Sequence, residues 1–168
     1  ISLSNYYLMQ NDSGKRLKYI RLSMAEHNKF KNSIYRKKLE YIDFANLATV
    51  YKELNSDSAE IYALKSIAAD KQYGLNNIRF SNFLVLGIIK QQQKDFAQAK
   101  YYYKEAEKIS DYKNHINIEI LYENLIDLYK STGDTENEKK YEQLLEKLKL
   151  RVSESKNQSL YKILEDNE

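Results

Sequence analysis

The sequence predicts an all-α protein of about four helical hairpins followed by a terminal helix. Composition is the first reason: the 168 residues contain no Pro, Cys or Trp and only four Gly, which disfavours turn-rich β folds and glycine-rich phosphate-binding loops. Spacing is the second reason, because apolar side chains recur at the three- and four-residue intervals of one helical face. The third reason is that this pattern returns after 39 residues, as from Phe44 to Phe83. Such a period is typical of helical repeat proteins.

In three of the predicted hairpins, the first helix carries an aromatic residue three positions before a Leu. Three such pairs stand 39 residues apart, namely Phe44 with Leu47, Phe83 with Leu86, and Tyr122 with Leu125. Leu3 and Tyr7 lie 44 residues before Leu47 and Tyr51, and they belong to a further copy at the N-terminus. The predicted hairpins span residues 1–31, 32–75, 76–114 and 115–152, and a capping or connecting helix spans residues 153–168.

A polar break that can cap a second helix follows each of these aromatic segments. In a capping pair, a short side-chain oxygen accepts hydrogen bonds from the first amides, and a Glu or Gln three residues later reaches back. Three pairs have this offset: Asp57 with Glu60, Asp95 with Gln98, and Thr135 with Glu138. We therefore expect second helices to begin at these pairs.

Small residues recur on one face of the predicted second helices. They are Ala59, Ala63 and Ser66 in one copy, and Ala99 and Ala106 around Tyr103 in the next. Small side chains allow a neighbouring helix to approach closely. In the last copy the predicted inward face carries no alanine and consists of Tyr141, Leu144, Leu145 and Leu148.

These residues resemble the tetratricopeptide repeat (TPR), whose pattern is an aromatic residue, Leu-Gly and Tyr, then Ala, an aromatic residue and Pro. The copy from Phe80 to Ser110 supplies the best match, with Phe83, Leu86, Gly87, Asp95, Phe96, Ala99, Tyr103 and Ala106. Three positions depart from the pattern: Lys90 replaces Tyr, Asp111 replaces Pro and Glu138 replaces Ala. The family's period is about 34 residues, so the longer period here predicts longer helices or connections. The resemblance implies a right-handed α-α superhelix, a TPR-like solenoid, whose concave wall is lined by the first helix of each hairpin.

The resemblance also implies that this concave wall binds a protein or peptide segment. The family's groove-facing positions correspond to Asn5, Leu8, Ile42, Ala45, Thr49, Lys52, Ser81, Leu84, Ile88, Gln91, Ile120, Glu123, Asp127 and Lys130. This wall is apolar in the middle and acidic toward the end, which favours a partner with apolar side chains and one basic residue.

Two functions remain open at this point. The first is a non-catalytic binding module, similar to the long-spaced TPR segments that precede a DNA-binding or kinase domain in bacterial transcriptional or signalling regulators. The second is a scaffold for homo-oligomers, assembled through the C-terminal helix with Leu160, Ile163 and Leu164, or through a tyrosine-rich convex face on which Tyr101 is expected to be exposed.

Composition and motifs disfavour metal binding and catalysis. The chain has no Cys, and its two histidines, His27 and His115, lack a partner at helical spacing. We therefore expect no metal or other cofactor. His27 is expected to favour the carbonyl end of its helix. Glu123 and Asp127 form a carboxylate pair, but no nucleophile accompanies them, so we expect no catalytic residues.

Charge and hydropathy limit the other partners. The net charge of +3 is too small to predict direct nucleic-acid binding. No apolar run approaches the roughly 20 residues that cross a bilayer, so we expect no membrane insertion and a cytoplasmic location. The chain begins with Ile1 rather than Met, from which we expect a processed protein or a segment of a longer one.

Overall fold

The structure is a computed structural model that describes residues 12–31, 33–70, 76–110 and 115–165. Within these ranges it contains helices and no strand, so the all-α prediction is confirmed. The helices are α1 (Ser13–His27), α2 (Ser33–Leu54), α3 (Ser56–Asp70), α4 (Asn76–Gln92), α5 (Phe96–Lys108), α6 (His115–Thr132) and α7 (Thr135–Glu165). The first helix of the N-terminal hairpin, with Asn5 and Leu8, lies outside the described residues.

The chain divides into two compact units, Ile1–Ile109 and Ser110–Glu168. In the first unit α1 packs against α2, α2 against α3, α3 against α4 and α4 against α5, so that α1 precedes the two hairpins α2–α3 and α4–α5. Helix α2 also packs against α4, so the first helices of two successive predicted hairpins lie side by side. In the second unit α6 packs against α7.

The repeated positions are buried in each hairpin. Leu47, Leu86 and Leu125 are all buried, and the aromatic residue three positions earlier is half-buried in the first two copies and buried in the third. The small residues predicted to allow close packing are fully buried: Ala59, Ala63, Ser66, Ala99 and Ala106. The 39-residue spacing therefore identified the buried face of these helices correctly.

Gly87 lies on the face of α4 that contacts Tyr103 of α5. A Cβ atom added at this glycine would stand 2.3 Å from Cε1 of Tyr103, and the Tyr103 side chain is fully buried. The Leu-Gly step of the best-matching copy is thus explained by packing, because any side chain at position 87 would collide with the ring of Tyr103.

Two of the three predicted helix caps are wrong by one or two residues. Asp95 caps α5 as expected, since its side chain accepts a hydrogen bond from the Gln98 amide. In the next copy the cap is Asp134 rather than Thr135, with Asp134 Oδ1 3.2 Å from the Asn137 nitrogen. Helix α3 is capped by Asn55 rather than Asp57, through Oδ1 and the Ser58 amide at 2.8 Å. Asn and Asp are stronger caps than Thr, and Asn55 and Asp134 directly precede the first helical residue.

The predicted separate helix over residues 153–168 is also wrong as a boundary. Helix α7 runs without interruption from Thr135 to Glu165, so residue 153 lies inside it. No Pro or Gly occurs in this range, and Ser residues lower helix propensity only slightly. On the predicted inward face, Tyr141 and Leu148 are buried, whereas Leu144 and Leu145 are half-buried. The side chains of Leu160, Ile163 and Leu164 lie outside the described residues.

Candidate functional site

The predicted wall of the first unit is formed by α2 and α4, which pack against each other. Apart from Gln91, six of its residues are half-buried, so they retain accessible surface that a partner could cover. Helix α2 contributes Ile42, Thr49 and Lys52, and α4 contributes Ser81, Leu84 and Ile88. We call these six residues the α2–α4 wall. Its aliphatic members are Ile42, Leu84 and Ile88.

Two residues predicted for this wall serve the interior instead. The Ala45 side chain is buried and offers little surface to a partner. Gln91 is half-buried, and its Oε1 accepts a hydrogen bond of 2.8 Å from the Tyr103 hydroxyl. Gln91 thereby holds the ring that fills the space beside Gly87. The Thr49 hydroxyl donates a hydrogen bond of 3.0 Å to the Ala45 carbonyl. This bond directs the hydroxyl toward the backbone of its own helix.

The remaining predicted site residues belong to the second unit. Glu123, Asp127 and Lys130 are exposed on α6. Glu123 Oε1 lies 3.8 Å from Nζ of Lys149 on α7, and the same Nζ lies 3.2 Å from Glu119. Glu123 is therefore part of an ionic link between α6 and α7. Asn5 lies outside the described residues.

Lys90, which replaces the family's Tyr, links two helices of the first unit. Its Nζ lies 2.7 Å from Glu60 Oε1 on α3, and it donates to Gln93 Oε1 at 3.2 Å. The Lys90 side chain is mostly buried. An ion pair therefore joins α4 to α3 at this family position.

A buried polar chain joins α2, α3 and α4, and no sequence motif predicted it. Ser66 Oγ donates to the Tyr41 carbonyl at 2.7 Å, and Asn82 Nδ2 donates to Ser66 Oγ at 2.7 Å. Asn82 is only 1% exposed. Buried hydrogen bonds of this kind favour one relative arrangement of the helices. Asn82 could not be recognised because a single Asn between Ser81 and Phe83 belongs to no repeated pattern.

A buried carboxylate meets a histidine between α1 and α2. His27 Nδ1 lies 2.8 Å from Asp43 Oδ2, and Asp43 is buried. Burial raises the pKa of the Asp43 carboxyl, while the hydrogen bond to His27 acts in the opposite direction and is the weaker effect. His27 lies in the last turn of α1, as predicted. Its partner was missed because Asp43 lies on the next helix.

The second unit contains an apolar groove along α7. Its volume is about 630 Å³. Seven residues line it: Ile126 of α6, and Glu142, Leu145, Glu146, Lys149, Leu150 and Ser153 of α7. We call this surface the α7 groove. The repeat pattern did not predict it, because Leu150 is 59% exposed and lies outside the predicted inward face.

Tyr101, Tyr102 and Tyr103 point in different directions, as their consecutive positions on a helix predict. Tyr101 is exposed and Tyr103 is fully buried. Tyr102 is half-buried, with its ring edge-on to Tyr101 at 5.2 Å and stacked on Phe83 at 6.3 Å between centroids. These tyrosines therefore do not form a shared ligand cage.

No family model, curated protein or solved structure matches the chain. Among the residues that the structure describes, no three His, Asp or Glu side chains are grouped so that they could hold a metal ion. None of the helices in the described ranges combines the length and apolar character needed to cross a bilayer.

Proposed function

We propose that the chain is a TPR-like interaction module whose first unit binds a protein or peptide segment on the α2–α4 wall. The observation that carries this proposal is the half-buried state of Ile42, Leu84 and Ile88 on two helices that pack side by side. Each square ångström of apolar surface that a partner covers contributes about 25 cal/mol. In this proposal, the hairpins α2–α3 and α4–α5 are two repeats of a right-handed superhelix.

The framework behind the wall supports a binding role. Contacts on the opposite faces of α2 and α4 are dense, because small residues such as Ala63 and Ala99 are fully buried. The hydrogen bonds from Asn82 to Ser66 and from Ser66 to Tyr41 connect three helices. A surface held in place before binding loses less conformational freedom when a partner arrives.

The chemistry of the wall indicates the kind of partner. Aliphatic side chains dominate its centre, so the partner is a helix or extended segment with apolar side chains. In keeping with the resemblance, we assign the module the sensory role in a cytoplasmic bacterial regulator, whose attached DNA-binding or kinase domain would supply the output.

A peptide selection tests this proposal directly. Peptides that bind the full chain are selected from a random display library. Calorimetry then measures their affinities for the wild type and for a Leu84→Glu, Ile88→Glu variant. Burying two carboxylates against apolar groups is unfavourable, so we expect about tenfold or greater loss of affinity.

A matched control separates loss of the wall from general damage. Ile61→Glu changes an aliphatic residue of α3 that is 52% exposed and outside the wall, and it should leave peptide affinity unchanged. Circular dichroism verifies that both variants stay helical. Equal affinity of the wall variant and the wild type would show that the peptides bind elsewhere.

A further inference from the structure

The α7 groove places apolar residues at the surface of the second unit. Leu150 is 59% exposed, and Ile126 and Leu145 are half-buried. The α7 residues that line the groove occupy positions 142, 145, 146, 149, 150 and 153, which form one stripe at helical spacing. Exposed leucines arranged along a groove indicate a surface that a second helix can cover.

The positions along this stripe are symmetric about a point midway between residues 147 and 148. If a two-fold axis passes through that point, Leu145 of one copy lies opposite Leu150 of the other copy. Glu146 coincides in the same way with Lys149, and Glu142 with Ser153. A two-fold interface joins the same patch on both copies and needs this self-complementarity. A helix of another protein would not need it.

Charge gives a second argument for a copy of the same chain. Glu146 is exposed and has no ion-pair partner within the described part of the chain. Lys149 reaches Glu119 and Glu123 of its own copy and keeps 54% of its side chain accessible. An antiparallel α7 would bring the Lys149 of each copy to the Glu146 of the other, so that two opposite-charge pairs form at once.

We propose that two copies of the chain associate through the α7 groove, with their α7 helices antiparallel and crossing between residues 147 and 148. Leu145, Leu150 and Ile126 supply the apolar contact, and the Glu146–Lys149 pairs set direction and register. This interface lies entirely in the second unit, so it is independent of the partner bound on the α2–α4 wall. An interface confined to this one stripe is small, so we expect a weak, concentration-dependent dimer.

The mass in solution tests the dimer. Sedimentation equilibrium of the full chain, over a broad concentration series at low ionic strength, should show a species of twice the 19.9 kDa chain mass. Leu150→Glu should weaken association about tenfold or more, because it places a carboxylate in the apolar contact. The equally exposed Ile61, changed to Glu, should leave association unchanged. A wild type that stays monomeric, or a Leu150→Glu variant that dimerises normally, overturns the proposal.

Charge reversal tests the register. Glu146→Lys alone and Lys149→Glu alone each oppose like charges in both pairs of a homodimer, so each variant should be monomeric. A mixture of the two variants restores both opposite-charge pairs and should form heterodimers. Circular dichroism checks that each variant is folded. A mixture that associates no better than its components overturns the antiparallel register, whereas the peptide affinity of these variants tests the proposed function separately.

Discussion

At the scale of single residues, Gly87 determines how closely α4 can approach α5. Replacing Gly87 with Ala places a methyl group 2.3 Å from the Tyr103 ring. Both elements must then shift, and overpacking of this kind costs about 1–3 kcal/mol. We expect the free energy of unfolding, measured by urea denaturation, to fall by that amount.

Gly14 provides the matched control for this substitution. It also lies in a helix, but it is exposed, and a Cβ there would meet only Asp12 Oδ1 at 3.6 Å. Ala is a better helix former than Gly by roughly 0.5–1 kcal/mol, so Gly14→Ala should stabilise the protein slightly. Equal destabilisation by both variants would contradict the close approach at Gly87.

Asp43 gives the protein a pH dependence whose direction follows from burial. The folded protein holds the proton on Asp43 more tightly than the unfolded chain, because burial raises the carboxyl pKa above its ordinary 3.8. The tighter binding of this proton adds to the free energy of unfolding. The added stability is complete below pH 3.8 and is lost as pH rises through the raised pKa. Nearby charges include His27 on α1 and Glu40 on the same helix.

The comparison that isolates this effect is wild type against Asp43→Asn. The difference in free energy of unfolding, wild type minus variant, should decrease as pH rises from 3.8 through the raised pKa. Denaturation curves at several pH values measure it. An increase over the same interval would mean that pairing with His27 outweighs burial.

Sequence reasoning succeeded for the small buried residues and failed for the polar ones. Ala63 and Ala99 were predictable because small residues at helical spacing have few other reasons to recur. Asn82 and Asp43 were not predictable, since the burial of a polar group depends on a partner from another helix. That partner, Ser66 or His27, is 16 residues away in both cases.

At the scale of elements, two inter-helix turns have the same geometry although their sequences differ. Lys94 and Gly133 stand 39 residues apart, and both have positive φ, 61° and 71°. After each, an Asp amide bonds back to a carbonyl five residues earlier, Asp95 to Lys90 and Asp134 to Tyr129. This is the αL termination that usually carries glycine. A lysine in this conformation is strained.

Replacing Lys94 with Gly should therefore stabilise the protein. The left-handed conformation costs an L-residue roughly 1–2 kcal/mol, and part of this gain is offset by the greater freedom of glycine in the unfolded chain. Thermal unfolding should show a higher midpoint. The reverse change at the equivalent position, Gly133→Lys, should lower it. A Lys94→Gly variant less stable than the wild type would contradict this account of the turn.

The turn at Gly133 explains why one of the predicted caps was displaced by a residue. The sequence rule paired an oxygen-bearing residue with Glu or Gln three positions later, which selected Thr135 with Glu138. The structure caps α7 with Asp134, directly after the αL residue Gly133. The position of a cap follows from where the preceding helix stops, and the sequence pattern does not encode that point clearly.

At the scale of the whole molecule, the repeat predicted the positions of the helices better than it predicted the exposed surfaces. The 39-residue spacing identified the hairpins α2–α3, α4–α5 and α6–α7, and Leu86 and Leu125 are buried as expected. The α7 groove was not predictable, because it combines Ile126 with residues of a helix whose continuation past residue 152 was unforeseen. Two residues of the predicted wall, Ala45 and Gln91, serve the interior instead, because Ala45 is buried and Gln91 bonds to Tyr103.

The central claim is that a partner binds on α2 and α4. Hydrogen exchange of the full chain, with and without a peptide selected on it, tests this claim most directly. Binding should slow exchange of the backbone amides of α2 and α4, because a bound segment suppresses local opening, and leave α6 and α7 unchanged. Slowed exchange confined to α6 and α7, with none in α2 or α4, would contradict the claim.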